Sequence, residues 1–425
     1  MFFSAWGEIL FNRIITKMAR REFARVMRFE EGRKPEIPPG DPLPRLLYLH
    51  IPFCERLCPY CSFHRVPFQE ALGHEYFAAL RKEILLYKEK GYEFRGLYVG
   101  GGTPTVMIDE LEETLNYAGK CFQLKEVSVE TNPNHLTEKH LRALKRAGVN
   151  RLSVGIQSFD DGLLKAMDRC EKYGSGEAIA ERLKATLGYF KTLNADMIFN
   201  FPSQDLAMLD RDLDILTDLG IDQITYYPLM VSDVTRQLVK RTLGKVDYGK
   251  EGKLYRQIVK RLTPTYAFSS AWCFSKKKSS SLIDEYIVDY DEYAGLGSGS
   301  IGYLKGACYA NTFDIPRYIA LINQGESPLW ASRDFTMKDK MRYDFLMKLF
   351  ATKLDVTALQ KKYNGSLYRH LWPDILAFSL IGGLQYKAPY LRLTKNGHYF
   401  WVIMMREFFI AVNNFRDYCR DGIVS

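Results

Sequence analysis

The chain alternates between two textures. Short apolar runs, rich in β-branched and aromatic residues, recur at 46–50, 96–99, 127–130, 151–155, 194–199 and 223–226, with 266–269 continuing the series. Between them lie stretches of helical periodicity, among them 74–90, 137–147 and one opening at 161–167. Strands spaced by helices form βα units, because a parallel neighbour is reached only through a long crossover. The pattern predicts an α/β fold: a parallel sheet of about six βα units, wholly or partly closed into a barrel, with chemistry at the carboxyl ends of its strands.

Both ends of the chain depart from this pattern. Residues 1–33 place Phe3, Trp6, Leu10, Ile14 and Met18 at helical spacing, with Arg13, Lys17, Arg20, Arg21, Arg25 and Arg28 as a basic sector. Such an amphipathic helix either lies on an anionic membrane or packs on the protein's own surface. Its aromatics lead and its charges follow, the reverse of a signal peptide. Residues 34–45, rich in Pro and Gly, read as a linker, and 46–334 as the barrel domain. From 335 to 425 the segments 338–353, 356–363, 373–380 and 400–415 read as helices, Pro373 suiting a first helical position. The turn Thr394-Lys-Asn-Gly397 within 391–397 suggests a hairpin wing, and the whole a helical, winged-helix-like module.

A net charge of +9 suits an anionic cofactor or an anionic lipid surface, and no nucleic-acid partner is expected. No run reaches the roughly 18 apolar residues of a membrane span. Eight cysteines without a secretory signal argue for a reducing compartment, so the chain is expected in the cytoplasm. A peripheral position at the inner face of the cell membrane follows if the N-terminal helix docks there. Cys121, Cys170, Cys273, Cys308 and Cys419 are scattered and read as small buried hydrophobes.

Cys54, Cys58 and Cys61 fall in the loop directly after the first strand. At spacings of four and three residues, three thiolates can hold three irons of a cubane. The fourth iron then stays open to a ligand such as the amino-carboxylate of S-adenosylmethionine (SAM). A structural zinc site wants a fourth ligand; His64 is the nearest candidate, and no second ligand pair follows.

With the preceding Tyr48-Leu-His50-Ile-Pro52-Phe, the triplet resembles the radical SAM group around oxygen-independent coproporphyrinogen III oxidase. The resemblance continues in order through Gly100-Gly-Gly-Thr103, Ser128-Val-Glu130-Thr-Asn132-Pro, Arg151-Leu-Ser153-Val-Gly155-Ile-Gln157, Arg169, Asp196-Met-Ile198 and Gly295-Leu-Gly297-Ser-Gly299-Ser-Ile301. It implies a radical SAM partial (β/α)6-type barrel with a [4Fe–4S] cluster on the three cysteines. Two SAM molecules and an electron donor such as flavodoxin or ferredoxin are implied as well. By the same resemblance Tyr48, Gly101, Glu130 and Arg169 would contact the first SAM. Tyr60, Gly102, Thr103, Gln157, Asp196 and Ile301 would line the second, and Tyr60, Gln157 and Arg169 are the candidates for catalysis.

Porphyrinogen-decarboxylating members of that group carry another cysteine two residues beyond the third ligand, where this chain has Phe63. The departure, with the apolar and basic ends of the chain, leads to the expectation of a class C methyltransferase. One SAM would generate the radical; the second would supply a methyl carbon to an sp² ring carbon of a lipophilic aromatic substrate, menaquinone at C8 leading. Tyr226, Tyr227 and Glu285 are candidates for the base. Coproporphyrinogen III dehydrogenation in haem biosynthesis and a haem-trafficking chaperone are the alternatives, which keep a porphyrin-class substrate open.

Overall fold

The structure, a computed structural model, describes residues 5–29, 36–277 and 290–421, the side chains of 5–10 and 421 excepted. Its strands are β1 (Pro44–Ile51), β2 (Glu93–Gly101), β3 (Glu126–Thr131), β4 (Arg151–Gln157), β5 (Thr192–Phe199), β6 (Gln223–Pro228), β7 (Tyr266–Phe268), β8 (Cys273–Lys276), β9 (Tyr293–Leu296), β10 (Ile301–Leu304), β11 (Ala307–Asn311) and β12 (Leu329–Asp334). Among the described residues they form one sheet in the order β12-β11-β10-β9-β1-β2-β3-β4-β5-β6-β8-β7. From β9 through β6 neighbours run parallel, and the flanking pairs run antiparallel. The sheet is open, with β12 and β7 at its edges, as a partial barrel requires. Residues 266–269 do not extend the parallel series. The link 269–272 from β7 to β8 is far too short for a crossover helix, so the two strands pair as a hairpin.

The principal crossover helices are α2 (Glu70–Glu89), α3 (Ile108–Cys121), α4 (Glu138–Arg146), α5 (Gly176–Thr186), α6 (Leu206–Leu219) and α7 (Glu251–Leu262). Local chemistry sets their ends. At α6 the Asp205 carboxylate accepts from Met208 N, and Gly220, at φ 63°, closes the helix in the left-handed conformation. Alternation along each strand then divides the side chains. Leu47, Leu49 and Ile51 of β1 join Tyr76, Phe77, Leu80 and Ile84 of α2 in the main core, whereas Leu46 and Tyr48 face inward beside Tyr98. Much of the inner face is polar: buried Arg151 donates to Gln223 at 2.8 Å and to Ser128 at 2.9 Å.

Before the sheet lies α1 (Ala5–Val26); beyond β11 come α8 (Ile315–Asn323), then, past β12, α9 (Met337–Phe350), α10 (Val356–Lys362), α11 (Leu367–Leu380) and α12 (Lys395–Asp421). Two sequence expectations change here. Helix α11 starts at Leu367, so Pro373 is interior; burial of Leu367 and Leu371 favours the extra turn despite the N–H that proline lacks. The Thr394-Lys-Asn-Gly397 segment is a helix start instead of a hairpin turn, since Thr394 Oγ1 accepts from Gly397 N and caps α12. The hairpin lies just upstream, in β14 (Leu384–Lys387) and β15 (Tyr390–Leu393), and β15 also pairs with β13 (Lys353–Asp355).

Helix α1 packs along α12. Phe23 meets Phe408 edge-on at 5.4 Å, and Phe29 stacks on Phe415 at 4.1 Å. Of the two readings of this segment, packing on the protein's own surface is the one seen. The buried stripe is Ile15, Ala19, Phe23 and Met27, one residue on from the predicted stripe. Ile14 and Met18 stay 44% and 68% exposed. Phe3 and the side chains of Trp6 and Leu10 lie outside the described residues, as does the start of the 34–45 linker. Among the described residues no helix is long and apolar enough to cross a membrane.

Candidate active site

The cysteine loop leaves β1 at its carboxyl end. Phe53–Cys54 pairs with Val66–Pro67, which pins both ends of the loop. Arg65 donates to the carbonyls of Cys58 and Cys61 at 2.6 and 2.8 Å, gathering the turn from within. The glycine run at the end of β2 lies directly on it: Gly102 N donates to Ile51 O and Thr103 N to Phe53 O, both at 2.7 Å. A Cβ on Gly102 would come within 2.5 Å of Phe53 O and 3.0 Å of Cys54 Sγ, so only glycine fits.

From the neighbouring strands a second set of groups reaches the same place. Asn132, just past β3, donates to Thr103 Oγ1 at 2.8 Å and accepts from Arg169 Nη2 at 3.2 Å. Arg169 Nη1 lies 3.6 Å from Cys58 Sγ. Burial works against this guanidinium's charge, but Tyr60 and Cys58 beside it outweigh the cost and its pKa is raised. Its Nε is buried with no partner among the described residues, a donor available to an anionic cofactor group. Glu130 accepts from Tyr98 OH at 2.8 Å and from Gly101 N at 3.2 Å. Tyr48 OH meets His50 Nδ1 at 2.9 Å, and burial keeps that imidazole neutral by lowering its pKa to about 4.

The residues assigned to two separate SAM sites interleave. Gly102 and Thr103, expected at the second, touch Cys54, and Arg169, expected at the first, lies among Asn132, Cys58 and Tyr60. Gln157 ends β4 at φ 75°, a left-handed conformation that a non-glycine side chain holds only when its surroundings fix it. Asp196 lies on β5 beside it, accepting from Ser153 at 2.6 Å and Asn194 at 2.8 Å. Ile301 stands apart on β10, where it and Tyr48 line a cavity. Of the candidate bases, Tyr226 faces α6, where Asp212 and Asp210 are its charged neighbours, so it is removed from the site. Tyr227 lies at 5.4 Å from Trp272, and Glu285 lies outside the described residues. Sequence reasoning passed over Asn132 and Arg65. Asn132 stands two residues past Glu130 in the Ser128–Pro133 motif, whereas Arg65 had no signal beyond its charge.

The donor set fits an iron–sulfur cluster better than a single ion. Among the described residues no three Cys, His, Asp or Glu side chains converge on one ion position, as a zinc site requires. A cubane makes no such demand, because each thiolate takes a different iron. Arg65 and Arg169 supply the cations that an anionic cluster with its thiolates calls for.

Comparison with known proteins agrees. Residues 48–216 match the family model of the radical SAM superfamily. An oxygen-independent coproporphyrinogen III oxidase of Cereibacter sphaeroides is 34% identical over 350 residues, covering 76% of each chain. The haem chaperone HemW of Bacillus subtilis is 28% identical over 344 residues, covering 77% of this chain and 89% of its own. Among solved structures, coproporphyrinogen III oxidase (HemN) from Escherichia coli superposes with a TM-score of 0.73 at 19% identity, covering 91% and 93% of the two chains. Fold and site together define a radical SAM protein. More narrowly, the chain belongs to the radical SAM family of coproporphyrinogen oxidase-like proteins that includes HemN and HemW. That fold implies a [4Fe–4S] cluster and SAM.

Proposed function

We propose that the chain is a radical SAM enzyme acting on a large flat ring, with the tetrapyrrole class first among its substrates. The observation that supports it most is the meeting of Cys54, Cys58, Arg169, Asn132 and the Gly101–Thr103 backbone at one end of the parallel strands. When bound, the cluster would supply the electron that cleaves SAM. Cys54, Cys58 and Cys61 would hold it, Arg169 and the glycine run would seat SAM beside it, and Glu130 would accept from sugar hydroxyls. Catalysis then rests on positioning and on keeping water out of a buried site. The names of the relatives, a coproporphyrinogen III oxidase and a haem chaperone, support the tetrapyrrole class.

A second reading, ring methylation with a second SAM, is favoured by Phe63, which stands where the porphyrinogen-decarboxylating members of the resembled group carry a further cysteine. Its ring faces Arg416, 4.8 Å from the guanidinium carbon. Anaerobic turnover with dithionite and SAM separates the readings. Loss of carboxyl groups from coproporphyrinogen III would support the first. Gain of one methyl by menaquinone, with S-adenosylhomocysteine formed, would support the second. SAM cleavage with neither ring altered would reject both substrates.

A further inference from the structure

The carboxyl end of β4 carries a bulge. Gly155 pairs with Asp196 and Gln157 with Met197, so two steps along β4 match one along β5, and Gln157 takes φ 75°. A bulge at a strand end re-aims the side chain that follows it. Here it sets the Gln157 amide beside Asn132: a Cβ on Gly155 would stand 3.0 Å from Gln157 Nε2 and 3.5 Å from Asn132 Oδ1. Arg169 Nη2 donates to that same Asn132 oxygen and to Gly155 O.

What holds the bulge comes from outside the strand. Asp212, on α6 and 1% exposed, accepts from Ser158 Oγ at 2.9 Å and from Phe159 N at 2.8 Å. These are the two residues directly after Gln157. Ser158 Oγ in turn accepts from Asp160 N at 3.1 Å, and Asp160 caps the short helix Asp161–Ala166. Burial raises the Asp212 pKa from 3.8 to about 7, so near neutral pH its two bonds matter more here than a full charge.

We infer that Asp212 is a positioning residue for the SAM seat. By fixing Ser158 and Phe159 it holds Gln157 in the left-handed conformation and keeps the amide beside Asn132 and Arg169. A non-glycine residue stays in that conformation only when its surroundings enforce it. Without Asp212 the bulge relaxes toward an ordinary strand end, and the amide leaves the site. The inference rests on the radical SAM reading above. It adds a residue of the helix layer that acts on the cofactor only through Gln157.

The test is a double-mutant cycle on the cluster-loaded full-length protein, read as deoxyadenosine formed under dithionite at varied SAM. Gln157→Gly removes the amide and suits the backbone conformation. Asp212→Ala is expected to raise KM for SAM by roughly tenfold, with a smaller change in kcat. Asp212→Asn, which can keep both bonds, should stay within about twofold of wild type. Adding Asp212→Ala to Gln157→Gly should cause no further rise, because no amide is left to misplace. Ser158→Ala, which removes one bond and leaves Asp212 in place, should raise KM by about two- to fivefold. An unchanged KM in Asp212→Ala or Ser158→Ala overturns the inference. So does an equal loss from Asp212→Ala with and without the Gln157 amide, the mark of a merely structural role. Failure of the wild-type protein to cleave SAM, measured first, would instead overturn the radical SAM reading.

Discussion

Arg169 Nη1 stands 3.6 Å from Cys58 Sγ, while Nη2 of the same guanidinium reaches Asn132 on the strand side of the site. One side chain thus ties the cluster loop to the sheet and keeps a buried cation beside the thiolates. Replacing it by Met should lower SAM cleavage by about 10- to 100-fold, the rate equivalent of a charge-assisted hydrogen bond. Lys, which keeps the charge but not the fork, should fall between. Deoxyadenosine formation measured under dithionite checks the order.

Gly102 and Gly119 make a contrast. A methyl at Gly102 collides with Phe53 O and crowds Cys54 Sγ, whereas one at Gly119 on α3 meets nothing. Gly102→Ala should therefore lower iron bound per protein. Gly119→Ala should leave it unchanged and stabilise the helix by about 0.5–1 kcal/mol. Iron analysis and urea denaturation read the two effects.

The ion pairs that fasten α1 are unequal. Arg20 is half exposed, and its bond to Glu407 is partly screened, so Arg20→Ala should cost no more than about 1 kcal/mol. Arg406, 1% exposed, sits between Glu251 and Glu407, both fully buried, and donates to Thr16 of α1 at 3.1 Å. Arg406→Met leaves the buried Glu251 carboxylate without its cation, while Glu407 keeps Arg20, and should cost about 3–5 kcal/mol in chemical denaturation.

Glu83 of α2 holds the late glycine segment, accepting from Gly297 N at 2.8 Å, Tyr318 OH at 2.6 Å and Asn311 Nδ2 at 2.8 Å. Burial dominates and raises its pKa from 4.5 to about 7 in spite of those donors. The folded state then binds the proton more tightly than the unfolded one. Stability from this group is present below about pH 4.5 and is lost as pH rises to about 7. Urea titrations of wild type and Glu83→Gln at pH 5 and 8 should show a smaller loss of stability in the variant.

The parallel core was legible because its strands are buried on both faces and its helices are long; β1 to β6 follow the predicted runs with ends moved by a few residues. Cysteine spacing and glycine runs located the site for the same reason, since both chemistries act through neighbours in sequence. What the chain hid depends on distant partners. The buried stripe of α1 was misplaced because two apolar stripes, one residue apart, compete, and only α12 decides between them. Thr394 read as a turn residue because capping and turning use the same side chains. Asn132 and Arg65 acquire their roles from contacts that no local pattern records.

Cluster-dependent cleavage of SAM is the most direct measurement. Protein reconstituted anaerobically with iron and sulfide, then given dithionite and SAM, should form 5′-deoxyadenosine, and Cys58→Ala should form none. Deoxyadenosine made at the wild-type rate by Cys58→Ala, or none made by cluster-loaded wild type, would contradict the assignment of Cys54, Cys58 and Cys61.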